Sequence, residues 1–251
     1  MADDWQADSP GTGRPWGPWA TVGWTLAGVA ILMTVQWIIL AGVTAARLMQ
    51  QPTLKLANLT ALATDGTLLS LATLASTPAV VALMATLAGA RLPVRDYLAL
   101  RWPGAGPSAL ALVGLGAFLA ASAALRAGLG RPPVPPTMLE AYRTSWVPLL
   151  LVALLACAPL GEEVLFRGFL YRGLADSRLG PGTAIGLSAL AWALLTHAQH
   201  GLYEGATVYL MGLYLGTVRY LTRSLPLTIL LHALANAATT AEVALLVGRT
   251  P

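Results

Sequence analysis

Apolar residues in this chain fall into long blocks separated by short polar or proline-containing stretches. A helix rising about 1.5 Å per residue needs about 20 apolar residues to cross the ~30 Å hydrocarbon layer of a bilayer. Blocks of that order run roughly from Ala20 to Ala46, Leu59 to Ala90, Pro107 to Leu129, Trp146 to Tyr171, Pro181 to His197, Glu204 to Tyr220 and Leu225 to Val247. The pattern predicts an all-α, polytopic transmembrane helical bundle of about seven spans. The second block is long and carries Asp65, Gly66 and Pro78. It reads as one tilted helix or as a helix plus a re-entrant piece, with eight spans as the alternative count. Three regions follow: a tail over residues 1–19, N-terminal membrane helices over 20–145, and a C-terminal core over 146–251.

Composition agrees with the pattern. With 56% hydrophobic and 10% charged residues, the chain is too apolar for an ordinary soluble domain. The net charge of +4 comes from basic residues scattered between the blocks rather than gathered in a run, which fits membrane loops better than a nucleic-acid surface. Arg91, Arg95 and Arg101, then Arg172 and Arg178, then Arg219 and Arg223 fall in alternate loops, hence on one side. The expectation is a multi-pass protein of the cell membrane, with that side and the N-terminus cytoplasmic. Arg47, Lys55, Arg126, Arg131, Arg143 and Arg249 fall on the other side. The tail is acidic at Asp3, Asp4 and Asp8 and lacks the basic start of a secretory signal. Trp16, Trp19 and Trp24 lead into the first span as an interfacial belt. The single cysteine, Cys157, has no partner for an intramolecular disulfide.

Against this background, Glu162, Glu163 and Arg167 are costly inside the fourth block. Charges in hydrocarbon must pair or face a wet cavity, so such a cluster marks a functional site. On a helix, residues four apart share a face, so Glu163 faces Arg167 and the two neutralise one another. Glu162 points about 100° away and is the acid left free for chemistry. Pro159 removes a backbone hydrogen bond beside it. Three histidines occur, all in or at the ends of the last three spans. His232 and Asn236 share a face of the final span, and His197 closes the fifth. An acid, a histidine and a histidine–asparagine face on three spans would suit hydrolysis by activated water. Glu162 with His197 would act as the base, and His232 with Asn236 as oxyanion donors.

Metal is the variant chemistry. No His-Glu-x-x-His helix is present, yet Glu162, His197 and His232 could converge as a zinc site with an open position for water. A second grouping, His197, His200 and Glu204, lies near one membrane surface. No Gly-x-Ser-x-Gly turn supports a serine nucleophile.

At these residues the chain resembles the CPBP family of intramembrane proteases, which includes the CAAX prenyl proteases and the Abi-type bacteriocin-processing and self-immunity proteins. Glu162-Glu163-Val-Leu-Phe-Arg167 matches the family's Glu-Glu-x-x-x-Arg block, and His232-Ala-Leu-Ala-Asn236 matches its His-x-x-x-Asn block. The middle block, an aromatic four residues before a histidine, is altered. Ala193 stands four before His197, and Trp192 is displaced by one. The resemblance covers about the last 105 residues. It implies that Glu162 and His197 activate water, that His232 and Asn236 stabilise the oxyanion, and that Glu163 and Arg167 support the site. The implied chemistry requires no cofactor, with a divalent metal such as zinc as the alternative, and the implied partner is a membrane-associated peptide or protein. The competing class is a non-catalytic immunity or scaffold protein binding a peptide in the same pocket; a proton-coupled transporter is a third. One geometric tension accompanies the assignment. His197 lies about 24 Å along its span and His232 about 12 Å along a parallel one, so tilt or a helix break must bring them together.

Overall fold

The computed structural model describes residues 13–50, 62, 64–197 and 201–248, apart from the side chains of Thr196 and His197. Among these residues every regular element is a helix. The long elements are α1 (Pro18–Gln50), α2 (Gly66–Gly89), α4 (Ala105–Gly128), α6 (Val147–Ala175), α7 (Gly180–His197), α8 (Leu202–Thr222) and α9 (Leu225–Val247). Two short ones, α3 (Val94–Tyr97) and α5 (Pro136–Thr144), lie in connections.

Each of the seven apolar blocks therefore holds one of these helices among its described residues. Five of the helices, α1, α2, α4, α6 and α9, are long and apolar enough to cross a membrane. Helix α7 is a shorter apolar helix, and α8 carries Glu204 and Arg219 near its ends. Among its described residues the second block holds α2, which keeps Pro78 inside it. Asp65 is not within this helix but caps it, accepting the Leu68 N–H at 2.9 Å. The cap fixes the start of α2 at Gly66, because a short carboxylate satisfies a first-turn donor that has no helical acceptor. Residues 51–61 and 63 lie outside the described part.

The bundle is inside-out relative to a soluble protein. Leu110, Val113, Leu194 and Leu210 stand on the outer surface, while Arg167 and Arg219 are among the largest fully buried side chains. Lipid is as apolar as leucine, so burial of polar groups and close packing decide which face turns inward. Arg219 thereby corrects an expectation: it is not in a loop but in the last turn of α8, 1% exposed, with its guanidinium carbon 5.5 Å from the Tyr171 ring centre.

Trp16 is half-buried: the indole N–H donates to the Leu87 carbonyl at 2.8 Å, and the Arg91 guanidinium lies over the ring at 4.8 Å. Trp19, by contrast, is exposed. Helix α2 packs against α1 and against α6, so the N-terminal helices wall the segment that holds the acids. At the opposite end, the start of α2 is tied to the α5–α6 junction, where the Gly66 and Trp146 N–H groups donate to Thr144 and Thr67 hydroxyls at 2.9 and 2.8 Å. Helix α8 lies closely on α7. A methyl group at Gly212 would stand 2.8 Å from the Ala189 Cβ, and one at Gly216 would stand 2.9 Å from Ile185. Glycines four apart give one helix a flat stripe on which another can rest.

Candidate active site

Helix α6 is not a uniform α-helix. Ala153–Cys157 and Val164–Leu170 are π-helical, flanking the α-helical turn Ala158–Glu163 that carries both acids. The first π stretch has a local cause in the sequence. The Ala158 N–H reaches back five residues to Ala153, and in the same register the next donor would be residue 159, a proline with no N–H. The Leu154 carbonyl is thereby left without its helical donor. Asn236 on α9 supplies one instead, its Nδ2 donating to the Leu154 oxygen at 2.8 Å. On the other flank, the Thr77 hydroxyl of α2 donates to the Cys157 carbonyl at 3.1 Å. Neighbouring helices thus complete the backbone bonding that the break removes.

The two acids meet different surroundings. Glu163 and Arg167 are fully buried and paired, Nη1 to Oε1 at 2.9 Å. The same Oε1 lies 3.1 Å from His232 Nδ1. An ionised carboxylate only accepts hydrogen bonds, so Nδ1 carries the hydrogen. Nε2 of a neutral ring is then a base, and it becomes a donor only when the ring is protonated. Glu162 is half-buried, and its Oε2 accepts the Trp192 indole N–H at 2.5 Å. Trp192 also lies under the Arg167 guanidinium, 4.2 Å from the ring centre, and meets the His232 ring edge-on at 5.2 Å. Gly212 leaves room for Arg167 here: a methyl there would stand 3.1 Å from Nη2.

The structure places the candidate residues that it describes as follows. Glu163, Arg167 and His232 come together, and Glu162 joins them through Trp192. His232 is thus bonded to Glu163 and not to Glu162. Asn236 is engaged with the α6 backbone. His197 is the last residue of α7, five positions and about 7.5 Å beyond Trp192 along the axis; its side chain lies outside the described residues. The height mismatch between His197 and His232 is not closed by a break in α7, which runs on to His197, and it is Trp192 that stands where α7 meets the acids. Sequence reasoning did not assign Trp192 this contact, although the same height arithmetic favours it.

Among the described residues no three histidine, cysteine, aspartate or glutamate side chains are grouped to hold a metal ion. Glu162 and His232 are two of the ligands expected of a zinc site, and the Trp192 indole lies against both. The donor set thus lacks a third described ligand. In the second metal grouping, Glu204 is occupied by Arg126, Oε2 to Nη2 at 2.8 Å, and the His197 and His200 side chains lie outside the described residues.

The helices thus enclose a buried acid–arginine–histidine network with a second acid at its edge. Residues 144–238 match the family model of type II CAAX prenyl endopeptidases, Rce1-like, which bears out the resemblance to the CPBP/CAAX protease family over that region. The family is one of proteases. No curated protein and no solved structure matches the chain.

Proposed function

We propose that this protein is an intramembrane endopeptidase that hydrolyses a peptide bond in a membrane-associated peptide or protein. The carrying observation is the unequal pair of acids: Glu163 is locked between Arg167 and His232, while Glu162 meets a single side-chain donor among the described residues, on Oε2. In this reading Glu162 takes a proton from water as the water oxygen adds to the peptide carbonyl carbon. His197 shares that proton, which passes to the departing nitrogen as the C–N bond breaks. The oxyanion is met by protonated His232 through Nε2 and by the second hydrogen of the Asn236 amide, the first being used on Leu154. No step is routed through a metal. The arginine-bearing end, with Arg101, Arg172 and Arg223, faces the cytoplasm in this proposal.

The test compares membrane peptides from cells producing the wild-type protein with those from cells producing Glu162→Gln. Removing a general base lowers rates by about 10²–10⁴-fold, so cleavage products present with wild type should vanish. Identical peptide profiles would sink the protease reading in favour of peptide binding without chemistry. Cleavage that stops with a chelator and returns with zinc would sink the metal-free step.

A further inference from the structure

We propose that Trp192 is the positioning residue of this site: its indole N–H fixes the Glu162 carboxylate and couples it to the buried Glu163–Arg167 pair. The inference rests on the hydrolytic reading above. Glu162 projects from the short turn between two π stretches and has no ion-pair partner among the described residues. A half-buried glutamate with three side-chain torsions is a poor base unless something holds it, because productive geometry tolerates errors well below 1 Å. Trp192 is 3% exposed and rigid, and its N–H reaches Oε2 at 2.5 Å. Oε1 is thereby left to meet water.

The choice of an indole has a chemical reason. Its N–H donates and has no accepting lone pair, so it can grip a carboxylate without competing for the proton that Glu162 must receive and return. A histidine or tyrosine there would titrate or exchange protons with the base. The Arg167 cation, 4.2 Å from the ring centre, draws electron density from the π face and strengthens the N–H as a donor. Glu163 in turn holds Arg167 at 2.9 Å. The locked pair therefore acts on the working acid through the ring, from Glu163 to Arg167 to Trp192 to Glu162, in addition to the direct charge attraction between Arg167 and Glu162. The His232 ring packs on the indole edge, so the same side chain sets the spacing between the base and the oxyanion donor. A tryptophan five places before His197, rather than an aromatic four places before it, fits this function: the position is set by reach to Glu162, not by its distance to the histidine.

The test replaces Trp192 by 3-benzothienylalanine, which keeps the ring shape and π face and exchanges only the N–H for sulfur. For a peptide that the wild type cleaves, kcat should fall about 10- to 100-fold, the loss of one charge-assisted hydrogen bond in the reacting state. KM and the thermal midpoint should stay unchanged. An unchanged kcat, or a loss confined to KM, would overturn the proposal. A readout independent of turnover is the ultraviolet resonance Raman signal of the indole N–H, isolated as the difference between wild type and Trp192→Phe. It should report a strong hydrogen bond that weakens in Glu162→Ala. A free N–H in wild type overturns the positioning role even in an active enzyme. A strong N–H bond in a protein that cleaves nothing overturns the hydrolytic reading and keeps the Trp192–Glu162 contact.

Discussion

Glu162 and Glu163 are neighbours in sequence, yet one is sealed in an ion network and the other stands at its edge. The difference follows from helical geometry, since Arg167 sits four residues from Glu163 and on its face. That division was legible in the sequence, because it needs only spacing along one helix. The cross-helix contacts were not, since His232 and Trp192 reach the acids through helix heights and rotations that no local pattern encodes. The buried network makes a sharp stability prediction. Arg167→Met removes one partner and leaves Glu163 with His232 alone, which should destabilise the protein by about 3–5 kcal/mol. Combining it with Glu163→Gln should recover part of that loss, measured by thermal unfolding in detergent. Equal destabilisation in the single and double variants would contradict the pairing.

At the scale of the element, α6 is a helix whose register changes twice within 29 residues. Pro159 was readable as a missing hydrogen bond; the π stretches around it and the two neighbouring helices that repair them were not, because the sequence names the missing donor without naming its substitute. The repair by Asn236 predicts a coupling. Asn236→Ala should cost about 1–3 kcal/mol by leaving the Leu154 carbonyl unsatisfied. In a Pro159→Ala background, residue 159 regains an N–H and the same substitution should cost less. A double-mutant cycle showing additive effects would remove the link between the proline and the amide.

Across the whole molecule, the helices were legible and their arrangement was not. A span that touches lipid on one side and protein on the other is apolar on both, so hydrophobic periodicity does not say which side turns inward. Some exceptions were informative: Glu163, Arg167 and Arg219 turn inward, as Gly212 and Gly216 do on α8. Gly212→Val should force α7 and α8 apart and crowd Arg167, lowering thermal stability by about 1–3 kcal/mol and activity with it. Activity lost without a change in stability would place Gly212 in the chemistry instead. Helix α1 brings a last consequence. It has 33 residues, its fully buried positions are Thr21, Thr25 and Gly28, and those of its residues that pack on the core end at Leu32. Its length of about 50 Å exceeds the ~30 Å hydrocarbon layer, so the helix must tilt or emerge from it, and the bilayer's thickness enters that choice. The lateral footprint of this molecule is therefore a property of its host membrane as well as of its fold, broader in a thin bilayer and narrower in a thick one.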